Sequence, residues 1–268
     1  MTPDGEIVRL LTQLPVLLPV YALVLFRVAG LMVAAPLLGS SVVPVRIRVA
    51  LVAVISVALL PVMLPKAPLH LSLVDALLGV AGEAMIGLVM GLALSLLLVG
   101  TGLGGMVSGQ QAGLAMGRVF NPMTNTSSTV FATAYALVFQ TVFIIAGGHR
   151  ALISALLDTF EVIPLASFRA GPPIVDLLEA LLTGAFVLGL KLAAPVLIAL
   201  FLATVTLGFL SKTMPQLNIL SVGFGIRVMV ALGVASLTLP AAHEVFMEAL
   251  TDSIVSLRDA FGLGPSAF

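Results

Sequence analysis

Residues 84–117 read AMIGLVMGLALSLLLVGTGLGGMVSGQQAGLAMG, a run without a single charged side chain. As one α-helix it would be about 50 Å long, against a bilayer hydrocarbon core of about 30 Å. Such a run cannot cover itself with polar groups, so its surroundings are lipid or other apolar protein. The rest of the chain agrees. Of 268 residues, 60% are hydrophobic and 9% charged, with a mean hydropathy of +1.23, whereas soluble domains carry about 25% charged residues. A formal net charge of +0 and three histidines offer no basic stripe, which argues against a nucleic-acid or other polyanion surface. The sequence has no cysteine, hence no disulfide and no thiolate metal site.

Segments apolar enough for helices of roughly 20 residues fall at 14–38, 49–65, 73–100, 127–147, 177–210 and 216–242. Pro- and Asn-rich connections separate them: residues 39–48 with Pro44, the Pro61, Pro65, Pro68 cluster, Asn121-Pro122-Met123-Thr124-Asn125, and residues 168–173. The expected fold is all-α, a polytopic membrane protein with about six hydrophobic helical segments. It forms a single membrane domain over 1–268, in which 243–268 is an amphipathic C-terminal tail carrying Glu244, Glu248, Asp252, Arg258 and Asp259. Asp4 and Glu6 stand where a secretory signal has its basic region, so the first apolar segment is expected to be retained. Arg46, Arg48, Arg118 and Lys212 fall on one side of these segments and Lys66, Arg150 and Arg169 on the other, a balance too even to orient the chain.

Glycine becomes dense after Val99. Because glycine costs about 1 kcal/mol relative to alanine inside a helix, a break or non-helical stretch is expected there. Irregular backbone at membrane depth must be buried in protein or line a cavity, which makes this the first place to look for a pore. Gly105, Gly109, Gly113 and Gly117 recur every four residues, and Gly87 with Gly91 adds a pair. On a helix this spacing makes a bare ridge where backbones approach closely. The ridge reads either as a packing face within the subunit or as a flexible segment at the centre of an assembly. Met85, Met90, Met106, Met116 and Met123 surround it, as ordinary gap-fillers or as a deformable seal. Gly100, Gly102 and Gly105 satisfy G-x-G-x-x-G, but no strand precedes them and no Asp or Glu lies between Glu83 and Asp158. No nucleotide cofactor follows.

Arg27, Glu83, Lys191 and Arg227 interrupt or border the apolar segments. An unpaired charge at mid-bilayer costs about 3 kcal/mol or more, so each belongs to an ion path or an inter-helix pair, or else snorkels to an interface. Buried pairing suits Arg27 and Glu83; snorkelling suits Lys191 and Arg227. A proton relay would need a chain of carboxylates or histidines. His70, His149 and His243 are scattered without partners at ligand spacing, and no catalytic motif is present. Neither metal, cofactor nor enzymatic chemistry is expected.

Several pieces, in order, carry a family likeness. They are Arg27 followed by Ala35-Pro36 and Pro44-Val45-Arg46; EAMIGLVMG over 83–91; and Ser108-Gly109-Gln110-Gln111-Ala112-Gly113 leading to Asn121-Pro122. Gly148-His149-Arg150-Ala151-Leu152 and residues 160–164 come next, then residues 191–195 and Ser211-Lys212-Thr213-Met214-Pro215-Gln216-Leu217-Asn218. In this order the chain resembles the FliR family of bacterial flagellar type III export, with its injectisome relatives. The resemblance implies an export-gate subunit of the inner membrane and flagellar basal body, built of bent helical hairpins and assembled with FliP-like and FliQ-like subunits. FlhB-like and FlhA-like export components are implied as further partners, with unfolded flagellar proteins as the cargo. It also implies that residues 105–123 act as the plug of the closed pore, with Gly105, Met106, Gly109, Gln110, Gly113, Met116, Gly117 and Phe120 as its candidate residues. Phe120 is the one aromatic between Phe26 and Phe131, fewer than the family's plug would have. An injectisome export subunit and a small-molecule or ion transporter are the competing readings.

Overall fold

The computed structural model describes residues 3–35, 43–66, 73–114, 130–168, 171–214 and 219–264. Seven α-helices make up these residues: α1 Pro3–Ala34, α2 Val45–Met63, α3 Leu73–Gln111, α4 Val130–Ile145, α5 Gly148–Val162, α6 Pro172–Thr213 and α7 Ile219–Ala260. A short 3-10 turn, Leu64–Lys66, follows α2. The chain is an all-α membrane protein: α1, α2, α3, α6 and α7 are each long and apolar enough to cross a bilayer, and α4 with α5 forms a sixth, broken candidate.

Helix ends follow local chemistry. Pro172 and Pro173 open α6, where a missing N–H costs nothing. Asp75 complements the positive end of α3. Gly113 ends α3 with a φ of +89°, its N–H donating to the Gln110 carbonyl at 3.0 Å while Leu114 N–H reaches Gly109 O at 3.1 Å. Gly262 ends α7 in the same double-bonded form, with Leu263 N–H on Arg258 O at 2.8 Å. Both are left-handed caps that satisfy the last carbonyls.

The expected break after Val99 is absent, because α3 stays helical through Gln111. The glycine penalty is offset by backbone approach that only glycine permits, as the packing of Gly100 and Gly104 below demonstrates. Serine and threonine hydroxyls inside the apolar helices bond to their own preceding turn, as Ser56 does to Val52 O, Thr204 to Leu200 O and Ser236 to Leu232 O. In lipid no water could take that bond. Helix α5 was not among the sequence segments. Its hydropathy is low, yet Ala151, Leu152, Ala155, Leu156, Thr159 and Phe160 form a buried stripe at helical spacing. Residues 243–260 are the last turns of α7; Phe246, Leu250, Ile254 and Leu257 are buried in protein there.

The chain divides into two compact units: Met1–Ser95, His149–Ala180 and Ser253–Phe268 form the first, Leu96–Gly148 and Leu181–Asp252 the second. In the first, α1 lies on α3 along a seam of small residues. A Cβ on Gly30 would meet Ala84 O at 2.5 Å, one on Gly91 would meet Ala34 Cβ at 2.6 Å, and one on Gly87 would overlap the Arg27 carbonyl. Lipid is as apolar as leucine, so this seam is held by close van der Waals contact rather than by escape from water. Much of α2 and α7 faces outward, with Met229 at 76% and Leu237 at 83% exposure. Soluble monomers do not carry such faces; lipid or further subunits cover them.

Candidate functional site

Two constellations stand out, one in each unit. In the first unit Arg27 of α1 and Glu83 of α3 are both fully buried and paired, Arg27 Nε donating to Glu83 Oε2. The rest of the guanidinium is also used. Nη1 donates to Thr159 Oγ1 at 3.2 Å and Nη2 to Ile163 O at 3.3 Å, while the Cζ atom lies 4.2 Å from the Phe160 ring centroid. Thr159 Oγ1 in turn donates a hydrogen bond to Leu156 O at 2.6 Å. The second carboxylate oxygen, Glu83 Oε1, accepts from Ala166 N–H at 2.9 Å, and Ala166 holds a left-handed φ of 62°.

This network ties α1, α3, α5 and the turn after α5 at one point. A lone charge there would be costly, and here each polar group is answered. The planar fork of arginine suits four simultaneous partners in a way that an ammonium does not. Sequence spacing alone did not assign Glu83 its partner. Thr159, Phe160, Ile163 and Ala166 were not singled out individually, although residues 160–164 belong to the pieces that carried the family likeness. Helix α5 is held further by Arg258 of α7, whose Nη1 lies 2.8 Å from Asp158 Oδ2 and whose Nε donates to Gly264 O at 2.7 Å.

In the second unit the glycine-rich end of α3 is a packing surface. A Cβ at Gly100 would run into the Ala185 carbonyl of α6, and one at Gly104 would come within 2.6 Å of Gly189 O. From the other side, a Cβ on Gly189 would stand 2.8 Å from Gly100 O. Gly105 faces α4, where a Cβ would strike the backbone at Ala132. Gly109 is buried, Met106 partly buried and Gln110 exposed. Gly113, capping the helix, has the Phe224 ring 3.2 Å from where its Cβ would be. Beyond the cap, Leu114 packs on a cluster formed by Ala112, Phe131, Val196, Leu200, Ala231 and Ala235. Met116, Gly117 and Phe120 lie outside the described residues. The seam on α6 therefore uses Gly100 and Gly104, one step out of phase with the four-residue series read from the sequence; a partner glycine on another helix is what marks them.

The other two charges behave differently. Lys191 pairs with Glu248, its Nζ 3.0 and 3.2 Å from the two carboxylate oxygens, and both side chains are about half exposed. Arg227 has no ion pair among the described residues, and its Nε is buried without a hydrogen-bond partner.

Comparison with known proteins places these features in a family. Residues 18–253, a span that includes both constellations, match the family described as bacterial export proteins, family 1. The flagellar biosynthetic protein FliR of Escherichia coli (strain K12) is 29% identical over 237 residues, 87% of this chain and 88% of that protein. FliR of Buchnera aphidicola subsp. Baizongia pistaciae is 26% identical over 206 residues, 77% of this chain and 80% of its own. FliR of Pectobacterium carotovorum subsp. carotovorum is 34% identical over a shorter stretch of 114 residues, 40% of this chain and 42% of its own. With most of its length matched, the chain belongs to the bacterial export proteins, family 1.

Proposed function

We propose that this chain is a gate subunit of the flagellar type III export apparatus in the bacterial inner membrane, passing unfolded flagellar proteins, and not an enzyme. The observation that carries the reading is the near full-length similarity to proteins named flagellar biosynthetic protein FliR. The outward faces of α2, α6 and α7 support it, because their apolar area asks for neighbouring chains as well as lipid. At 1.5 Å per residue, α6 and α7 are each about 63 Å along their length, about twice the hydrocarbon core. The proposed neighbours are FliP-like and FliQ-like subunits, with FlhB-like and FlhA-like components of the same apparatus. Residues 105–123 are proposed as the plug, with the packed glycines of α3 as its anchor.

A proton-coupled transporter fits less well. Glu83, the intramembrane carboxylate that a relay would need, has one oxygen on Arg27 and the other on Ala166 N–H, and among the described residues this network includes no second carboxylate to take a proton. The deciding experiment is a clean in-frame deletion, which should abolish filaments and swimming while growth continues. Normal filaments would refute the reading. Isolation of the chain with two other hydrophobic proteins, and no transport by the chain alone in vesicles, separates the gate from the transporter.

A further inference from the structure

Ala166 is the one described residue other than glycine with a left-handed backbone. An L-alanine there crowds its own Cβ against the following carbonyl, so the conformation persists only where its surroundings over-determine it. The turn that contains it, residues 163–168, is largely closed on itself. Pro164 and Ser167 are exposed, and the Ser167 N–H and hydroxyl both donate to Pro164 O, at 3.2 and 2.7 Å. Four contacts bind the turn to the rest of its unit. Glu83 Oε1 accepts from Ala166 N–H, Arg27 Nη2 donates to Ile163 O, the Leu165 side chain is buried, and the Phe168 ring lies 6.3 Å from that of Phe261.

The seat under the turn is cut from α3. A Cβ on Gly79 would stand 2.7 Å from the Ala166 Cβ, and one on Gly82 would stand 3.2 Å from Phe168 O. Spaced three and four residues apart, Gly79, Gly82 and Glu83 share one face of the helix, and that face is bare where the turn rests. The Ala166 methyl therefore occupies space that any side chain at position 79 would claim. Beyond Ala166, the next atom that such a side chain would approach is Leu23 Cδ2, at 3.2 Å. The seat thus holds a turn whose own dihedral opposes it.

We propose that residues 163–168 form a latch with a second, released position. On release Ala166 leaves the left-handed region, its methyl leaves the Gly79 notch and Leu165 leaves the core, while the α1–α3 seam stays closed. Relief of backbone strain favours release, and the bonds from Glu83 and Arg27 oppose it, so the buried ion pair sets the balance. The C-terminal end of α5 is then free to shift against α3, with Arg258 on Asp158 as a remaining hold. Local openings of this kind draw on segments held by few contacts. The inference stands on the geometry of the first unit and does not rest on the export reading.

Because the sequence has no cysteine, single cysteines in the detergent-purified full chain report exposure without background. Leu165→Cys probes the latch, Ile86→Cys the buried α1–α3 seam, and Glu161→Cys an exposed site on α5. A water-soluble maleimide should label position 165 more slowly than 161 but roughly tenfold or more faster than 86, because the turn opens without the seam. Gly79→Ala favours the helix itself but overfills the notch, so it should raise labelling at 165 about tenfold and leave 86 unchanged. The same substitution at Gly102, which has nothing within 4 Å, should change neither rate. Glu83→Gln, which takes the charged acceptor from Ala166 N–H, should also raise the rate at 165 about tenfold or more. Equal rates at 165 and 86, or no effect of Gly79→Ala at 165, overturns the proposal. So does a matching rise at 86 in the Gly79→Ala chain, which would mean that the seam and the turn open together.

Discussion

Replacing Glu83 by glutamine removes one charge from the Arg27 network and leaves its shape. Arg27 would then be a buried cation facing a neutral amide, and Ala166 N–H would keep an acceptor only if the amide oxygen turned toward it. Breaking one partner of a buried ion pair costs about 3–5 kcal/mol. Losing the Ala166 bond as well would add about 1–3 kcal/mol. Against a total stability of about 5–15 kcal/mol, the single change should lower the melting temperature and cellular abundance sharply. The double variant Arg27→Met with Glu83→Gln removes the uncompensated cation and fills its volume with a flexible apolar chain. It should recover part of the loss, with a coupling of about 0.5–3 kcal/mol between the two sites. Arg27→Lys should not rescue, because an ammonium cannot reach Glu83, Thr159 and Ile163 O while lying over the Phe160 ring. Thermal melts of detergent-solubilised protein followed by size-exclusion chromatography, on wild type, Glu83→Gln, Arg27→Met, the double variant and Arg27→Lys, give all five values. A double variant worse than either single variant, or an unaffected Glu83→Gln, would refute the reasoning.

Gly104→Val should force α3 and α6 apart, since its Cβ would meet Gly189 O at 2.6 Å, and cost about 1–3 kcal/mol or more. Gly102→Ala meets nothing within 4 Å and should stabilise α3 by about 0.5–1 kcal/mol; melting temperatures of the pair test the contrast. Gly113→Ala should lose about 1–2 kcal/mol to left-handed strain, with further crowding against Phe224, and circular dichroism melts will show whether the cap tolerates a methyl. Deleting residues 115–120, which leaves α3 whole, should make the membrane leak small ions if the proposed plug is right; unchanged conductance in cells would assign this stretch to packing.

The long apolar runs were enough to read an all-α membrane chain, because a side chain's preference for lipid or water is a local property summed along each helix. The sequence segments at 14–38, 49–65 and 127–147 correspond to α1, α2 and α4, and those at 177–210 and 216–242 to the larger part of α6 and α7. Gly87 and Gly91 were visible as a ridge for the same reason, since four-residue spacing is a helix property. What no local reading could reach is pairing across the chain. Residues 27 and 83 are brought together by the α1–α3 seam, and residues 159–166 by the turn after α5, none of which periodicity encodes. Expecting α3 to break after Val99 weighed the intrinsic cost of glycine alone. The tertiary structure reverses the sign, because Ala185 and Gly189 on α6 supply the contacts that make bare helix surface favourable there. Residues 84–117 thus determined the solvent of this protein by themselves, while only the neighbouring helices decided that the run stays helical to Gln111 and which of its glycines bear the packing.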